Sequence, residues 1–528
     1  MGAVIFYLIT LMLLGSEQRF LYSDERPASE RNILQYGESV ALRSLDPFTG
    51  SATMPERRFQ ELLFNALVRL EPDGSIVGEL AENWVLSLDQ PEITFYLRKD
   101  GVWHDGQPFQ AKDVVFTYQV LTTAESEVAL FHRQIVKDIV RTEILHPFAV
   151  RFYFREKAVI SLRSFLFKII PQHRFKGPKL MRQHPFCQNP VGTGPFRFIQ
   201  KGSHGEITLS RHERYFVEPA AIRKVILRII PDPELLRELL TQGGIDLIPE
   251  VRSQDLFRLR SQDQIRLLPY QNPNYTFVAF NRVHPELNKL GLRQALTLAV
   301  NKEQLKNQML GEAGEKMDLP ISWKMLDEFP PIPAPVYNPR QAQRLLDSLG
   351  FRKQGSFYHT STGDLLTFDM TVLVTHEHSS SMALALALKE YWRKVGVEVV
   401  LEPLTFPEWS KAVMRDHQFD LALGKWIFEL SENVSDIFYS KNDYPGGNNF
   451  ISYQNSEVDH LIEEIPRTKD PESKKDLRYK LCRKIAGEYP YIFLWTQYQN
   501  AAVRQRVRRT EIHPVYFFSY VQKWFIQN

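Results

Sequence analysis

The stretch ITFYLRKDGVWHDGQPFQAKDVVFTYQ, Ile93–Gln119, passes from a strand through two turns into a helix. ITFYL is rich in β-branched and aromatic residues and predicts a strand. The glycines of KDGV and HDGQ each follow an aspartate, a pair typical of turns, and AKDVVFTYQVL then predicts a helix. Strand and helix signals alternate along the rest of the chain without an internal repeat, so the sequence predicts an α/β fold.

Two further segments carry helical patterns. In PERRFQELLFNALVRL, Pro55–Leu70, apolar residues recur on one stripe, formed by Phe59, Leu62, Leu63, Ala66, Leu67 and Leu70. In SSSMALALALKEYWRKVGVEVVLEPL, Ser379–Leu404, we predict a helix that ends at Gly396 and a strand from Val397 to Leu401. The proline-rich FPPIPAPVYNPRQAQ, Phe329–Gln343, has no periodicity before the helix predicted after Asn338, and indicates a surface connection.

Length and composition indicate a folded protein of several domains. The chain has 528 residues, of which 43% are hydrophobic and 24% charged. The formal net charge of +3 indicates no polyanionic partner. The basic run RQRVRRT, Arg504–Thr510, alternates with Val503 and Val507 and predicts a strand with a solvated charged face. Aromatic residues do not interleave with it, so we expect no nucleic-acid binding.

The N-terminal segment is the part of the sequence most apolar in character. Gly2–Gly15 consists almost entirely of hydrophobic residues but is too short to span a bilayer comfortably. This combination is typical of the hydrophobic core of a signal peptide. No Lys or Arg precedes it and no clear cleavage site follows, so residues 1–23 are interpreted as a signal peptide or an N-terminal anchor. We therefore expect export to a periplasm.

Two cysteines are present, Cys187 and Cys482. Neither is near the leader, so the sequence offers no cysteine there for lipid attachment. Cys482 lies beside the apolar helical face of Leu477, Leu481 and Ile485, which predicts a buried thiol. A disulfide between the two cysteines is the alternative, since spacing alone does not show proximity.

Six segments resemble, in order, those of extracellular solute-binding family 5, the peptide- and nickel-binding proteins of ABC importers. They are Ser44–Phe48 (SLDPF), Glu61–Trp84 ending in LAENW, Ile93–Gln119, Asn189–Phe198 (NPVGTGPFRF), Val225–Leu247 (VILRIIPDPELLRELLTQGGIDL) and Phe280–Leu305 (FNRVHPELNKLGLRQALTLAVNKEQL). The resemblance covers nearly all of the chain after the leader and is strongest for an oligopeptide-binding protein.

The resemblance implies a periplasmic-binding-protein fold of type II, with two lobes joined by a hinge of two crossings near Phe280–Asn281 and Leu494–Trp495. An extra subdomain is expected to be inserted in the first lobe. The expected ranges are 30–65, 190–280 and 495–528 for lobe I, 66–189 for the inserted subdomain, and 281–494 for lobe II.

VGTGPFRF, Val191–Phe198, looks like the start of a dinucleotide-binding loop. That loop needs a third glycine where Arg197 stands, and FRFIQ is strand-like and does not begin a helix. We instead interpret Gly192 and Gly194 as a tight turn that requires positive φ and enters a strand of the larger lobe.

The resemblance also implies where a ligand binds. Peptide-binding members hold the ligand as an added β-strand between closing lobes. One backbone edge is expected at Ala52, Thr53 and Met54, and the opposite edge at GKWIFE, with Lys425, Trp426, Ile427, Phe428 and Glu429. Trp426 and Phe428 are expected to wall side-chain pockets, although an aromatic residue in a strand is more often part of a core.

Charged candidates complete the expected site. Glu429 stands where peptide-binding members place an aspartate that pairs with the ligand's α-ammonium. Glu432 and Asp436 are rival anions, and a solvated loop carboxylate is the alternative role for Glu429. Arg415 lies near a position that the family uses for the ligand carboxylate, to which a guanidinium is suited.

Other chemistries have weaker signals. THEH, Thr375–His378, places two histidines on one side of a strand and could hold a metal or metal chelate, but it lacks a third ligand. His104 and Asp105 resemble a catalytic pair, but the WHDG segment that contains them is typical of a turn. G-x-S-x-G, H-E-x-x-H and C-x-x-C are absent from the sequence, which disfavours a secreted hydrolase.

The sequence therefore predicts a monomeric periplasmic receptor, not an enzyme, that captures oligopeptides or peptide-like compounds and delivers them to an inner-membrane ABC permease. A receptor for a metal chelate such as nickel is the alternative. We expect no cofactor and no resident metal.

Overall fold

The computed structural model describes residues 32–50, 53–73, 75–87, 90–156, 160–270, 274–320, 332, 334–374, 379–427, 434–468 and 470–527. The chain divides into two compact units. Unit 1 comprises Met1–Tyr270 and Gln499–Asn528, and unit 2 comprises Gln271–Tyr498.

The strands are β1 (Ile33–Glu38), β2 (Val68–Leu70), β3 (Ile76–Gly78), β4 (Ala81–Leu86), β5 (Glu92–Leu97), β6 (Ile139–His146), β7 (Ala149–Phe154), β8 (Phe196–Lys201), β9 (Ile207–Arg211), β10 (Lys224–Ile229), β11 (Leu247–Ile248), β12 (Ile265–Tyr270), β13 (Asn274–Phe280), β14 (Gly314–Lys316), β15 (Arg352–Gln354), β16 (Phe357–His359), β17 (Thr367–Leu373), β18 (Glu398–Leu404), β19 (Leu421–Ile427), β20 (Tyr491–Gln497), β21 (Gln499–Arg504), β22 (Val507–Arg508) and β23 (Phe525–Ile526).

The α-helices are α1 (Met54–Leu63), α2 (Ala111–Thr122), α3 (Leu130–Ile135), α4 (Pro233–Gln242), α5 (Ser253–Arg260), α6 (Leu290–Leu298), α7 (Lys302–Met309), α8 (Pro339–Ser348), α9 (Ser379–Val395), α10 (Phe406–Trp409), α11 (Val434–Phe438), α12 (Ser456–Glu464) and α13 (Pro471–Gly487). The α/β class predicted from the sequence is confirmed. None of the helices in the described ranges is long and apolar enough to cross a bilayer.

Unit 1 is built on a seven-stranded sheet in the order β12-β21-β11-β1-β10-β9-β8. Strand β1 pairs in parallel with β10 and β11, whereas β9, β12 and β21 pair antiparallel with their neighbours. A separate four-stranded sheet, β4-β5-β7-β6, lies within residues 66–189. It falls in the same compact unit as the larger sheet, so a distinct subdomain there stays a prediction.

Unit 2 is built on a six-stranded sheet in the order β14-β20-β13-β19-β17-β18. Its two faces carry separate hydrophobic cores. One core contains Trp392 and Leu388 of α9 and the other contains Phe277 and Tyr491. Side chains of β13 from Tyr275 to Phe280, apart from Thr276, and of β20 from Tyr491 to Leu494 alternate between the cores, as the two-residue period of a strand requires.

The chain passes between the two units twice. Along the sequence, the first of these boundaries precedes the first predicted crossing, and the second boundary follows the second predicted crossing. The sequence places the crossings at Phe280–Asn281 and Leu494–Trp495, whereas the chain divides after Tyr270 and after Tyr498. The reason is strand pairing, because β13 and β20 pair with each other in the sheet of unit 2.

Helix α1 ends earlier than its apolar stripe predicts. The helix stops at Leu63, and Val68–Leu70 forms strand β2 instead of a further turn. The carbonyl of Leu63 accepts a hydrogen bond of 2.8 Å from the amide of Gly194. A distant loop therefore occupies the position that the next helical turn needs.

The same contact explains Gly192 and Gly194, for which the predicted positive φ is wrong. Neither glycine is among those with positive φ in the described residues. A Cβ at Gly192 would lie 1.8 Å from the carbonyl oxygen of Leu63, and one at Gly194 would lie 2.5 Å from its carbonyl carbon. Both positions need glycine because the backbones approach closely. The predicted entry into a strand is confirmed at Phe196, where β8 begins.

Several smaller predictions are settled by the same structure. The WHDG segment is a turn in which Gly106 has φ of 87°, and His104 binds the backbone of Gly192 and Gly194 rather than Asp105. Cys187 and Cys482 are both buried thiols outside any disulfide, which excludes the alternative pairing. The helix predicted after Asn338 is confirmed, with that side chain capping α8.

The basic run is not a solvated strand face. Arg504 is buried and donates to the carbonyls of Leu240 and Thr241. Arg506 forms a two-point ion pair with the buried Asp246, at 2.7 and 3.0 Å. These two arginines tie the end of β21 and the residue pair after it to the end of α4 and to Asp246. The remaining basic residues of the run, Arg508 and Arg509, lie at the end of β22 and directly after it.

Candidate ligand-binding site

Strand β19 has a strand partner on both sides for only part of its length. Its antiparallel ladder with β13 runs from Leu421 to Ile427. Its parallel ladder with β17 covers only Leu421–Leu423. From Gly424 to Ile427, β19 is thus paired on one side alone as far as the described residues show. Such an edge can accept an added strand.

The direction of the backbone groups on this edge follows from the ladder. Directly before the first paired residues of the ladder between β13 and β19, the amide of Asn281 donates to the carbonyl of Asp420 at 3.0 Å. Alternate residues of an antiparallel strand face the same neighbour, so the even-numbered residues of β19 direct their backbone groups to β13. The odd-numbered residues direct theirs to the opposite side, as shown where the Thr371 hydroxyl donates to the carbonyl of Leu421 at 3.3 Å.

Gly424 allows an aromatic stack beneath the strand. A Cβ at this position would lie 2.8 Å from Cζ of Phe277. The Phe277 ring stacks on Tyr491, with ring centroids 4.5 Å apart, and on Trp426, with centroids 5.9 Å apart. Trp426 is only partly buried, so it joins the core of unit 2 to the surface of the edge.

Two polar residues that the sequence analysis missed fix the end of the edge. The buried Asn274 donates to the carbonyl of Gln497 at 2.9 Å and accepts from its amide at 3.2 Å. The Gln497 side chain in turn accepts from the ammonium of Lys425 at 3.2 Å. An asparagine at the start of an otherwise apolar strand was the available signal, since a buried amide needs partners.

The predicted edge in unit 1 has a different local structure. Thr53 is the N-cap of α1, and its amide donates to Glu56 Oε2 at 3.0 Å. Its carbonyl accepts from the amide of Arg57 at 2.9 Å, and Met54 is the first helical residue. Thr53 and Met54 therefore form a capped helix start and not an extended edge, while Ala52 lies outside the described residues.

The other predicted site residues are placed as follows. Lys425, Trp426 and Ile427 lie together on β19. Arg415 is exposed at the end of a π-helical turn and pairs with Asp416 at 2.9 Å. Outside the described residues lie Phe428, Glu429, Glu432 and the THEH segment.

A buried polar cluster under α1 also went unpredicted. Arg58 and Glu38 form a two-point ion pair at 2.7 and 2.8 Å, and both are almost fully buried. Burial raises the pKa of Glu38, and the Arg58 guanidinium opposes that rise. Glu61 accepts from the amide of Phe518 at 2.6 Å, which ties the C-terminal segment to α1. Charged residues inside an apolar helical stripe were the available signal.

Comparison with known proteins agrees with this architecture. A family model described as bacterial extracellular solute-binding proteins, family 5 Middle, matches residues 75–448. The oligopeptide-binding protein AppA of Bacillus subtilis is 23% identical over 88% of this chain and 87% of its own length. The di/tripeptide-binding protein 1 of Pseudomonas aeruginosa is 26% identical over 85% of each chain.

The likeness extends to solved structures. NikA from Brucella suis, solved in complex with Fe(III)-EDTA, superposes with a TM-score of 0.82 at 21% sequence identity. The match covers 94% of this chain and 100% of that one. The chain thus shares the fold of that protein over nearly its whole length.

Proposed function

Because the chain belongs to the bacterial extracellular solute-binding proteins of family 5, we propose that it is the substrate-binding receptor of an ABC importer. It captures oligopeptides or peptide-like compounds and delivers them to an inner-membrane permease. It acts in the periplasm, to which the apolar N-terminal segment directs it, and it binds its cargo without transforming it.

The edge of β19 supports peptide as the ligand class. Beyond the last β17 partner, the strand Gly424–Ile427 keeps its pairing to β13. A peptide added alongside it gains main-chain hydrogen bonds, which do not depend on the peptide's side chains. A receptor for mixed peptides needs this kind of recognition. The names of the Bacillus and Pseudomonas relatives support the same ligand class.

We propose that two charged side chains fix the peptide's termini. We assign the α-ammonium to Glu429 and the carboxylate to Arg415. A carboxylate ~4 Å from an ammonium gains about 4 kcal/mol at an effective dielectric constant near ~20, before desolvation is subtracted. Lys425 and Trp426 lie on the edge strand itself.

Melting temperatures test the ligand class. A pool of short mixed peptides should raise the melting temperature, because a ligand that binds only the folded form stabilises it. The matched samples contain nickel chelates, Fe(III)-EDTA or sugars at the same concentration. A shift with a metal chelate and none with peptides would replace the peptide receptor by a chelate receptor, the ligand class of the Brucella protein's complex.

Modified peptides test the mode of binding. Methylation of every second amide nitrogen of a bound peptide removes the donors that face β19 in one register and spares them in the other. One of the two methylated isomers should therefore bind much more weakly than the parent peptide. Equal affinity of both isomers would contradict main-chain pairing.

A substitution tests the ammonium anchor. Glu429→Gln should weaken binding of peptides with a free amino terminus far more than binding of N-acetylated peptides, because acetylation already removes the positive charge. Equal losses for the two ligands would remove Glu429 from this role and leave Glu432 or Asp436 as candidates.

A further inference from the structure

A groove near the C-terminus of the chain is lined by residues of unit 1, none of which is assigned to peptide binding. It has a volume of about 700 Å³, and we call it the C-terminal groove. Its lining comes from the β9–β10 connection, β12, the segment after β22, and β23 with the turn before it, and consists of Glu218, Pro219, Ala221, Arg266, Arg509, Thr510, Glu511, Gln522, Lys523 and Phe525.

Arg266 is a partly buried cation whose bonds go to neutral groups. Its Nη2 donates to the carbonyl of Val507 at 2.6 Å and to the hydroxyl of Thr510 at 3.0 Å. Its Nε is buried and has no hydrogen-bond partner in the described residues. Burial lowers the pKa of Arg266, and the nearby Arg508 guanidinium lowers it further. A guanidinium in this setting lacks a compensating negative charge.

Arg509 adds a second cation held without a carboxylate. Its backbone adopts a left-handed conformation with φ of 51°, which is costly for a residue other than glycine. Its guanidinium lies 5.9 Å from the centre of the Phe525 ring. Within the described ranges, neither Arg266 nor Arg509 forms an ion pair. An aromatic face therefore orients this cation and leaves its donors available.

The remaining charges leave the groove positive. Lys523 lies 3.5 Å from Glu511, so these two largely offset each other. Glu218 is the other lining carboxylate and is exposed on the far connection. The positive charges of Arg266 and Arg509, together with that of the nearby Arg508, therefore exceed the single negative charge of Glu218. Guanidinium groups bind oxyanions through charge-assisted hydrogen bonds, which phosphate accepts in a two-point geometry.

We propose that the C-terminal groove binds a phosphate group, held by Arg266 and Arg509. The group could belong to free phosphate or to the headgroup of an anionic lipid, because the same oxygens face the arginines in both. The proposal does not depend on peptide binding, since none of the residues assigned to the peptide lines the groove.

Inorganic phosphate is titrated into the full chain at constant ionic strength, and binding is followed by phosphorus NMR line broadening. Arg509→Gln should weaken binding by about threefold or more, because it removes charge-assisted donors. Glu511→Gln should tighten binding, because it frees Lys523. Arg352→Gln, which removes an exposed arginine of β15, is the matched control and should leave binding unchanged. Equal effects of Arg509→Gln and Arg352→Gln would overturn the proposal.

Vesicles distinguish the two sources of the phosphate group. Cosedimentation with phosphatidylglycerol vesicles, but not with phosphatidylcholine vesicles, that is lost in Arg509→Gln assigns a lipid headgroup. Phosphate binding without any vesicle binding assigns the free ion. If the wild-type chain binds neither inorganic phosphate nor anionic vesicles, the groove is not a phosphate site.

Discussion

Glu61→Gln should stabilise the protein above pH 7 and have little effect near pH 5. Glu61 is 8% exposed and lies on α1. Burial raises the pKa of its carboxyl to about 7, although the Phe518 amide and the cations Lys168, Arg58 and Arg57 act in the opposite direction. The folded protein therefore holds a proton on Glu61 over a pH range in which the unfolded chain has released it.

The sign and size of the effect follow from that difference. A raised pKa in the folded state contributes stability below the unfolded value of 4.5, and this contribution is lost as the pH rises through about 7. The two values differ by about 2.5 pH units, and each unit corresponds to about 1.4 kcal/mol, which gives about 3 kcal/mol. Glutamine has no proton to lose and keeps an oxygen that accepts from Phe518, so it avoids this loss.

Differential scanning calorimetry at pH 5 and pH 8.5 measures the effect. At about 2 °C for each kcal/mol, the melting temperature of Glu61→Gln should exceed that of the wild type by on the order of 5 °C at pH 8.5. The two proteins should melt within about 2 °C of each other at pH 5, where the difference is only about 0.8 kcal/mol. Glu82→Gln, an exposed position on β4, is the matched control and should behave like the wild type at both pH values. An advantage that is equal at both pH values would refute the reasoning.

Three further predictions concern stability and reactivity. Arg58→Met leaves Glu38 buried without its partner and should lower the free energy of unfolding in urea by about 3–5 kcal/mol; a loss below about 1 kcal/mol would show that Glu38 is protonated or reaches water. Gly194→Ala places a methyl group 2.5 Å from the carbonyl carbon of Leu63 and should abolish or strongly destabilise folding, whereas Gly177→Ala, with no atom within 4 Å, should melt like the wild type. The two cysteines should not react with Ellman's reagent until urea unfolds the chain, because both are buried; rapid reaction of the native protein would contradict their burial.

Local patterns predicted the elements that depend on local physics. The Ile93–Gln119 stretch gives strand β5, its turns and helix α2, because alternation, Asp-Gly turns and helical periodicity act within a few residues. The end of α9 before Gly396 follows from the same kind of local signal, since that glycine has φ of 93°.

Other features depended on distant partners, and sequence spacing does not reveal them. Helix α1 stops at Leu63 because a loop more than a hundred residues away donates to its carbonyl. The ion pair of Glu38 with Arg58 joins a strand to a helix, and the sequence does not show which residue each one pairs with. The end of the β17 ladder at Leu423 decides where the candidate edge begins, and it is a property of two strands together.

Even-numbered residues of β19 direct their backbone groups to β13, and odd-numbered residues direct theirs to the open side, where we propose that a peptide pairs. A substitution at Ile427 tests this proposal. The amide of this odd-numbered residue is directed away from β13, so Ile427→Pro removes a donor from the open side and spares the β13 ladder. Loss of one main-chain hydrogen bond of about 1 kcal/mol should weaken peptide binding by about fivefold or more. The melting temperature without ligand should change much less than in Gly424→Ala, whose methyl group would meet Phe277 at 2.8 Å. Unchanged peptide affinity in Ile427→Pro would show that the peptide does not pair along this edge.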